Sequence, residues 1–256
     1  MTTDVMLAAA LTVVGLMLVT WLLSVGLKDA SIVDLVWGLG FVLVAWATFL
    51  TIGDPGPRRW LLVGLTSIWG LRLSGYLTWR NVGKGEDYRY QEMRKKAPDI
   101  FWIKSLFTVF LLQGVLMWVV SLPVQAGQVP EPSLGWLDWV GAAAWAVGIF
   151  FEAVGDSQLA RFKADPANKG KVMDGGLWRY TRHPNYFGDF MVWWGLYLIS
   201  LSAGAWWTMI GPALMTFLLL RVSGVALLEK TISSRREGYE EYVRRTNAFF
   251  PGPPKD

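Results

Sequence analysis

The residues best suited to chemistry are concentrated in one run, which reads DGGLWRYTRHPNYFGD from Asp174 to Asp189. Its two glycines permit a tight turn, and Pro184 suits the first turn of a helix that carries Asn185 and Asp189 on one face. A helix start beside two arginines and His183 suits phosphate, because the N-terminal N–H groups and the cations attract the same anion. Membrane anchoring explains each aromatic or basic residue singly, but hardly the whole run. We therefore expect an anion-binding site here, in which His183 alone is not a catalyst.

A second polar group recurs at intervals of three, four and four residues: Trp69, Arg72, Tyr76 and Arg80. This spacing places the four side chains on one face of a helix. An arginine within a membrane is costly, and it usually faces a partner or a wet cavity. We expect Arg72 and Tyr76 to line a cavity. For Arg80, extension of the side chain toward the membrane interface is an equal alternative.

Two further groups of charges follow helical segments. The loop 83–90 offers backbone N–H groups, paired charges and the ring of Tyr90 to a ligand, although a merely solvated turn is an alternative. Glu152 and Asp156 lie one helical turn apart and repel each other unless they share hydrogen-bond donors. Those donors come either from a ribose or an amide of a ligand, or from nearby basic residues in a charge network. We favour the ligand for both groups.

The last apolar segment also carries charges. Arg221 lies within it, and Glu229 follows two turns later on a similar face. Residues 235–245, with Tyr239 and Tyr242, have the pattern of an amphipathic helix on the cytoplasmic side. Such a helix either closes over a pocket or lies on the lipid surface.

The elements that position these residues are membrane helices. The chain is 53% hydrophobic with a mean hydropathy of +0.34, and its 16 tryptophans suit anchoring at a membrane interface. A helix needs about 20 apolar residues to cross the hydrocarbon core. The qualifying segments are residues 5–27, 32–52, 60–77, 101–122, 134–154, 186–202 and 206–228. Because backbone polar groups must be paired inside a bilayer, we expect an all-α polytopic bundle of about seven transmembrane helices, a single membrane domain over residues 1–256.

The first of these segments is expected to be a retained span. Its beginning carries Asp4 in place of lysine or arginine, and it is longer than the apolar part of an ordinary signal peptide. With no cysteine and one histidine in the chain, neither a disulfide, a thiolate nucleophile nor a zinc cluster is expected, and we predict no metal site.

The basic residues predict the orientation of the helices. Of the 24 lysines and arginines, eight lie in residues 72–104, six in 161–182 and seven in 221–255. Since basic residues gather in cytoplasmic loops, the N-terminus is expected outside and the C-terminus in the cytoplasm. Only Arg58 and Arg59 lie in a connection that this orientation places outside the cytoplasm. The basic residues alternate with acidic and apolar ones, so a nucleic-acid partner is not expected, whereas the lipid bilayer is.

The chain also carries these elements in order: Leu112-Gln113-Gly114, the helix end at Asp156, Gly175-Gly176-Leu177, Asn185-Tyr186-Phe187-Gly188-Asp189, and Glu229, Tyr239, Tyr242, Phe250 and Pro251. Together they resemble the steroid 5-alpha-reductase family, especially its bacterial subgroup of uncharacterised function, over about residues 69–252. The Arg-His-Pro-Asn-Tyr element is similar in sterol reductases and in isoprenylcysteine carboxyl methyltransferases. The motifs are thus more specific to a superfamily than to a reaction.

The resemblance implies a seven-helix bundle, here in a bacterial inner membrane, that holds NADPH from the cytoplasmic side and admits a hydrophobic substrate from the bilayer. The positions that match dinucleotide contacts of the family are Arg72, Tyr76, Asp156, Asn185 and Asp189. Lys163 replaces a phosphate-contacting arginine, which keeps the charge but loses the bidentate geometry. The full expected cofactor set is Arg72, Tyr76, Arg80, Asp87, Arg89, Gln113, Asp156, Lys163, Lys171, Trp178, Arg182, His183, Asn185, Tyr186, Asp189, Arg221 and Glu229.

The reacting end departs from the family pattern. Steroid reductases of the family polarise the substrate ketone with an early glutamate and a tyrosine. Trp69 occupies the tyrosine position, and an indole can donate a hydrogen bond but cannot act as an acid. Asp34 is the candidate for the early carboxylate, with a helix N-terminal cap as an equal alternative. The residues expected to line the reacting end are Asp34, Trp69, Tyr76 and Tyr90.

Three functions are compatible with this pattern. The leading one is an NADPH-dependent membrane reductase that transfers a hydride to an activated carbon–carbon double bond of a steroid- or lipid-like substrate. The second is an S-adenosylmethionine-dependent methyltransferase acting on a membrane lipid or prenyl group, and the third is a non-enzymatic lipid-binding or transport protein. The basic set between Arg161 and Arg182 favours NADPH, because S-adenosylmethionine carries no phosphate. Substrate identity and oligomeric state stay open.

Overall fold

The computed structural model describes residues 3–53, 56–128, 133–222 and 238–255, and all regular structure in these ranges is helical. The first helices are α1 (Thr3–Leu27), α2 (Ile32–Leu35), α3 (Trp37–Thr51), α4 (Pro57–Asn81) and α5 (Tyr88–Lys95). A continuous helix then comprises α6 (Phe101–Ser105), a π-helical turn (Leu106–Leu111) and α7 (Leu112–Val120), before α8 (Leu122–Ala126). The remaining helices are α9 (Trp136–Ala164), α10 (Pro184–Ser202), α11 (Ile210–Phe217) with a π-helical end (Leu218–Val222), and α12 (Tyr239–Arg245). Short 3-10 turns lie at Pro166–Asn168, Gly176–Arg179 and Trp206–Met209.

Three of these helices are long and apolar enough to cross a membrane: α1, Phe101–Val120 and α9. Trp37–Thr51 and Trp206–Val222 are shorter apolar helices. The expected segments 60–77 and 186–202 lie inside α4 and α10. The protein therefore has the apolar, helical architecture of a membrane protein, while seven spans and their orientation stay predictions.

Local sequence explains several helix ends. Pro57 begins α4 and Pro184 begins α10, because proline has a helical φ and needs no partner for a backbone N–H in the first turn. The Asp87 side chain caps α5 by accepting the Arg89 N–H at 2.9 Å. The expected second segment is interrupted at Val36, whose φ of −93° and ψ of 0° separate α2 from α3. That break leaves Asp34 on a short turn of its own.

The chain forms two compact units, Met1–Asp138 with Ile199–Ile210, and Trp139–Leu198 with Gly211–Asp256. In the first unit, α3 crosses α4 at Gly38 and Gly70, where a Cβ on either glycine would overlap the backbone carbonyl of the other. Small residues let helices approach this closely, and the contact replaces a layer of side chains. Trp69 is fully buried beside the crossing and packs edge-on against Phe41, with ring centroids 5.6 Å apart.

Arg58 and Arg59, which disagree with the charge rule, are buried inside the first unit. Arg58 pairs with Asp138 through two contacts, Nε–Oδ1 at 2.7 Å and Nη2–Oδ2 at 3.0 Å, and the side chains are 5% and 0% exposed. The Arg59 guanidinium donates to the carbonyls of Ile52, Gly53 and Gln128. Both charges are therefore used in internal pairing, which explains why they depart from the distribution of the other basic residues.

In the second unit, α9 and α10 pack along a row of glycines. A Cβ on Gly148 would lie 2.6 Å from the carbonyl oxygen of Gly188, and one on Gly195 would lie 2.6 Å from that of Gly141. The glycines repeat every seven residues on each helix, so they return to the same face. The row continues to Gly155, which packs against the start of α10. It therefore brings the carboxylates of α9 next to the polar run.

Candidate functional site

The expected site residues are divided between the two units, and five of those in the first unit are connected around Asp34. We call this set the Asp34 cluster: Asp34, Asp87, Arg89, Tyr90 and Gln113. The Tyr90 hydroxyl donates to Asp34 Oδ1 at 2.8 Å and accepts from Gln113 Nε2 at 3.3 Å. The Arg89 guanidinium donates to Asp34 Oδ2 at 2.7 Å. All five residues were expected from the sequence, and the structure connects them in a chain of hydrogen bonds that runs from Asp87 through Arg89, Asp34 and Tyr90 to Gln113.

The electrostatics of the cluster keep the Tyr90 phenol protonated. Tyr90 is only 6% exposed, and its burial raises the pKa of the phenol above its usual value. The charge of Asp34 and the hydrogen bond to it raise that pKa further. Arg89 bridges two carboxylates, since its Nε also donates to Asp87 Oδ1 at 2.9 Å. The cluster thus contains a buried hydroxyl that donates to one of two carboxylates, and both carboxylates share one guanidinium.

Asp34 does not act as the helix N-terminal cap that the sequence left as an alternative. The N-cap residue of α2 is Ser31, three positions earlier. The two oxygens of Asp34 accept instead from Tyr90 and Arg89, which belong to α5. These contacts tie the short turn of α2 to α5. Asp34 is therefore located where a carboxylate can orient a polar group.

A further ion pair, between Glu86 of the expected loop and Arg94, which was not expected, fixes the loop that leads into α5. Glu86 accepts from both Arg94 Nη2 at 2.8 Å and the Ala30 N–H at 2.8 Å, and the Ser31 hydroxyl accepts the Asp87 N–H at 3.2 Å. Burial alone raises the pKa of Glu86, but the Arg94 and Ala30 hydrogen bonds and the Arg94 charge outweigh it, so the net pKa lies below the usual 4.5. The loop 83–90 is thus attached by hydrogen bonds to Ala30 and Ser31, and it is not merely a solvated turn.

This lowered pKa predicts an acid-sensitive loop. The ionised form of Glu86 stabilises the folded state above pH 4.5, and that contribution is lost as the pH falls through the lowered folded pKa. Glu86→Gln should therefore lower the free energy of unfolding by about 1 kcal/mol at pH 7 and by progressively less below pH 4.5. Thermal unfolding of both proteins across this pH range measures the difference. Glu92→Gln, the same change at an exposed pair, should have no measurable effect, and a difference independent of pH would contradict the prediction.

The expected stripe on α4 divides into a buried and an exposed part. Trp69 packs inside the unit, as described above, whereas Arg72 and Tyr76 are half-buried and Arg80 is exposed. The guanidinium carbons of Arg72 and Arg80 lie 6.0 and 5.6 Å from the centroid of the Tyr76 ring. Two cations therefore flank one aromatic face. Arg80 is in the last turn of α4, where its charge also favours the helix C-terminus.

In the second unit, the start of α10 meets the carboxylates of α9. Asn185 Nδ2 donates to Asp156 Oδ1 at 3.1 Å, and both Asp156 and Glu152 are buried. Gly155 lets α9 approach this point closely, since a Cβ there would lie 3.2 Å from Pro184 Cγ and 3.3 Å from the backbone nitrogen of Asn185. Two expected residues from distant positions thus form one polar pair, an amide beside a carboxylate, of the kind that binds ribose or a carboxamide.

Trp178 and Arg182 hold the polar run in place. Trp178 Nε1 donates to the Gly155 carbonyl at 3.1 Å. Arg182 Nη1 donates to the carbonyls of Val243 and Thr246 at 3.1 and 2.7 Å. These contacts join the run to α9 and to the C-terminal segment, so both residues have a positioning function in this unit. His183 is buried and stacks on Tyr186, with ring centroids 5.6 Å apart.

The remaining expected residues of the second unit lie nearer its surface. Lys163, Lys171 and Arg221 are exposed, and Asp189 is half-buried. Glu229 and residues 235–237 lie outside the described residues, so the expected amphipathic helix is described only from Tyr239 to Arg245. Within that helix the Tyr242 hydroxyl donates to the Trp178 carbonyl at 2.6 Å. Burial raises the pKa of Tyr242, with Tyr239 and Asp174 adding to the increase, so its hydroxyl retains the donated proton.

Comparison with known families covers nearly the whole chain. Residues 20–246 match DUF1295, a family described as protein of unknown function. The chain belongs to this family. DUF1295 is a member of the steroid 5-alpha-reductase-like superfamily, which agrees with the broader resemblance of the sequence motifs. The matched range contains the Asp34 cluster and the Asn185–Asp156 pair, and it ends before the last ten residues.

Two relatives are informative. An uncharacterised protein of Schizosaccharomyces pombe is 27% identical over 282 residues, which cover 93% of this chain and 79% of that protein. A probable O-methyltransferase of Ustilaginoidea virens is 43% identical over 53 residues, which cover 21% of this chain and 18% of that protein. The second similarity is therefore local. No solved structure matches the chain.

Proposed function

We propose that this protein is an NADPH-dependent membrane reductase that transfers a hydride to an activated carbon–carbon double bond of a steroid- or lipid-like substrate. The observation that carries the proposal is the Tyr90 hydroxyl, buried and hydrogen bonded to Asp34 and Gln113. Reduction of such a bond consumes one hydride and one proton, and charge develops on the substrate oxygen when the hydride arrives. NADPH supplies the hydride when bound. Methyl transfer needs no such proton donor.

In this proposal the Tyr90 hydroxyl turns its single proton from Asp34 to the substrate oxygen, donating first a hydrogen bond and then the proton. The enol so formed tautomerises to the saturated carbonyl compound by gaining a proton at carbon and losing one from oxygen. Gln113 holds the phenol oxygen by donating to it, and Arg89 pairs with the Asp34 carboxylate that the hydroxyl leaves. A phenol held in place in a buried position stabilises developing charge with little reorganisation of its surroundings. Tyr90 thereby fills the chemical function that the indole of Trp69 cannot perform.

The cofactor is proposed to contact the Asn185–Asp156 pair, with Lys163 and Lys171 toward its phosphates. Support comes from the family positions of these residues and from the 3.1 Å contact that joins the first two. The proposal includes seven spans in a bacterial inner membrane, with the cofactor on the cytoplasmic side. The internal pairing of Arg58 and Arg59 supports this orientation, because it removes the two exceptions to the charge rule.

A second candidate is an S-adenosylmethionine-dependent methyltransferase acting on a membrane lipid. It is favoured by the local similarity to a probable O-methyltransferase, at 43% identity over 53 residues. The exposed cations of the second unit favour NADPH over that cofactor, because S-adenosylmethionine has no phosphate. A lipid-binding protein without catalysis is the third possibility, and it predicts that neither cofactor binds.

Cofactor titration of the detergent-purified chain tests the proposal. NADPH should raise the unfolding temperature and S-adenosylmethionine should not, since only a ligand bound to the folded state stabilises it. Asn185→Ala or Asp189→Ala should abolish the NADPH shift, and Lys171→Gln should weaken NADPH roughly tenfold, ~1.4 kcal/mol. Lys169→Gln, an exposed lysine two residues away, is the matched control. A shift with S-adenosylmethionine alone, or unchanged NADPH affinity in both the Asn185 and Asp189 variants, would contradict the proposal.

A further inference from the structure

The second unit contains a cavity that the proposed reductase does not use. Its volume is about 580 Å³, within the range of small-molecule sites. The lining residues are Asp174, Gly175, Gly176, Arg179, Tyr242, Arg245, Thr246, Pro254 and Lys255. Of the basic residues that favoured NADPH in the sequence only Arg179 is among them, and the proposed cofactor contacts Asn185, Asp156, Lys163 and Lys171 are not. The cavity therefore raises the question of a second ligand.

The charges of the lining favour a doubly negative ligand. Arg179, Arg245 and Lys255 contribute three positive charges and Asp174 one negative charge, so the formal sum is 3 − 1 = +2. The Arg245 guanidinium lies 3.6 Å from Asp174 and 3.7 Å from Glu241, which is longer than a hydrogen bond. These pairs orient the guanidinium while leaving it able to donate to an oxyanion inside the cavity.

The walls of the cavity are held by short hydrogen bonds. The Lys255 N–H donates to the Arg245 carbonyl at 2.8 Å, which keeps two of the cationic residues adjacent. Tyr242 donates to the Trp178 carbonyl at 2.6 Å, and Arg182 donates to the Thr246 carbonyl at 2.7 Å. The run 174–179 and the C-terminal segment are thus fastened to each other before any ligand arrives. A preformed cationic site loses less entropy on binding.

We infer that this cavity binds the phosphate group of a second ligand, as a phosphomonoester dianion. Two guanidinium groups can each form paired hydrogen bonds with phosphate oxygens, and a lysine adds a point charge. The cavity is larger than a phosphate ion, so it also has space for part of the molecule that carries the group. Two sources share this chemistry: a phosphomonoester lipid headgroup such as that of phosphatidic acid, and a soluble phosphate compound.

Binding to the full chain in nanodiscs tests the inference with both sources. In phosphatidylcholine nanodiscs, calorimetric titration with inorganic phosphate should show saturable binding if the source is soluble. If the source is lipid, native mass spectrometry should show phosphatidic acid retained in preference to phosphatidylcholine. Whichever ligand binds, inorganic phosphate or phosphatidic acid, Arg245→Gln and Lys255→Gln should each weaken its binding about tenfold. Asp174→Asn should tighten binding, because it removes the one lining carboxylate.

Arg244→Gln is the matched control, since Arg244 is exposed on the same helix beside Arg245 but does not line the cavity. It should leave binding unchanged. The opposite sign expected for Asp174→Asn separates a specific effect from a loss of folding. The inference is overturned if neither arm shows binding, or if Arg244→Gln and Arg245→Gln weaken it equally, because binding would then reflect general surface charge.

Discussion

Replacement of Asp138 by Ala should lower the free energy of unfolding by about 3–5 kcal/mol, because it leaves the Arg58 charge buried without its carboxylate. Asp138 is fully buried and accepts from Arg58, from the Gly135 N–H at 2.7 Å and from the Ser202 hydroxyl at 2.8 Å. One carboxylate therefore joins the start of α4, the start of α9 and the end of α10. No other substitution considered for this protein removes so many buried contacts at once.

Unfolding in mixed micelles of increasing SDS content, followed by circular dichroism, measures this effect. Asp99→Ala provides the control, since Asp99 is exposed and the same change there should be within about 0.5 kcal/mol of zero. The double variant Arg58→Leu/Asp138→Leu should recover most of the loss, because neither charge then remains buried. A small loss in Asp138→Ala, equal to that of the control, would contradict the structural function of the pair.

The helices of this protein could be predicted from its sequence where one physical signal dominates. Apolar length located α1 and the helix Phe101–Val120 to within a few residues of the expected segments 5–27 and 101–122. Proline chemistry located the start of α10 at Pro184. The break at Val36 was not predicted; Asp34 beside it contacts α5 at residues 55 and 56 positions away along the chain, which no local pattern indicates.

The site could be predicted only in part. The residue types around Asp34 and Asn185 were identified from spacing and motif, and the structure connects Asp34 with Tyr90 and Asn185 with Asp156. The positioning function of Arg182 was not apparent, since a guanidinium near a helix start suits both phosphate and backbone carbonyls. Its contacts depend on how the chain returns at Val243 and Thr246, which no local pattern encodes.

The contrast between Arg58 and the other basic residues also depends on long-range contacts. Counting basic residues treats every arginine as a solvated charge. Arg58 differs because Asp138, 80 residues later, is folded against it. Long-range pairing of this kind decides whether a basic residue indicates the orientation of the helices or stabilises the folded protein. The sequence alone does not reveal that pairing.

Tyr90→Phe should reduce the turnover of the proposed reductase by about 10²–10⁴-fold, the usual contribution of a positioned proton donor. The variant removes one hydroxyl and leaves the Asp34–Arg89 pair, so the fold and the NADPH affinity should change little. Consumption of NADPH with a panel of membrane-soluble conjugated ketones measures turnover, and cofactor titration measures binding. The loss should appear in kcat, because the hydroxyl acts on charge that develops only after the hydride moves.

The chain offers a matched control for this change, two residues earlier on α5. Tyr88 is 57% exposed, so Tyr88→Phe should retain full turnover. Asp34→Asn supplies a second readout: it keeps a hydrogen-bond acceptor for Tyr90 but removes the charge that raises the phenol pKa, so the alkaline limit of the pH–rate profile should move to lower pH. If Tyr90→Phe turns over as fast as Tyr88→Phe, the proton comes from another group and the Asp34 cluster only stabilises the loop.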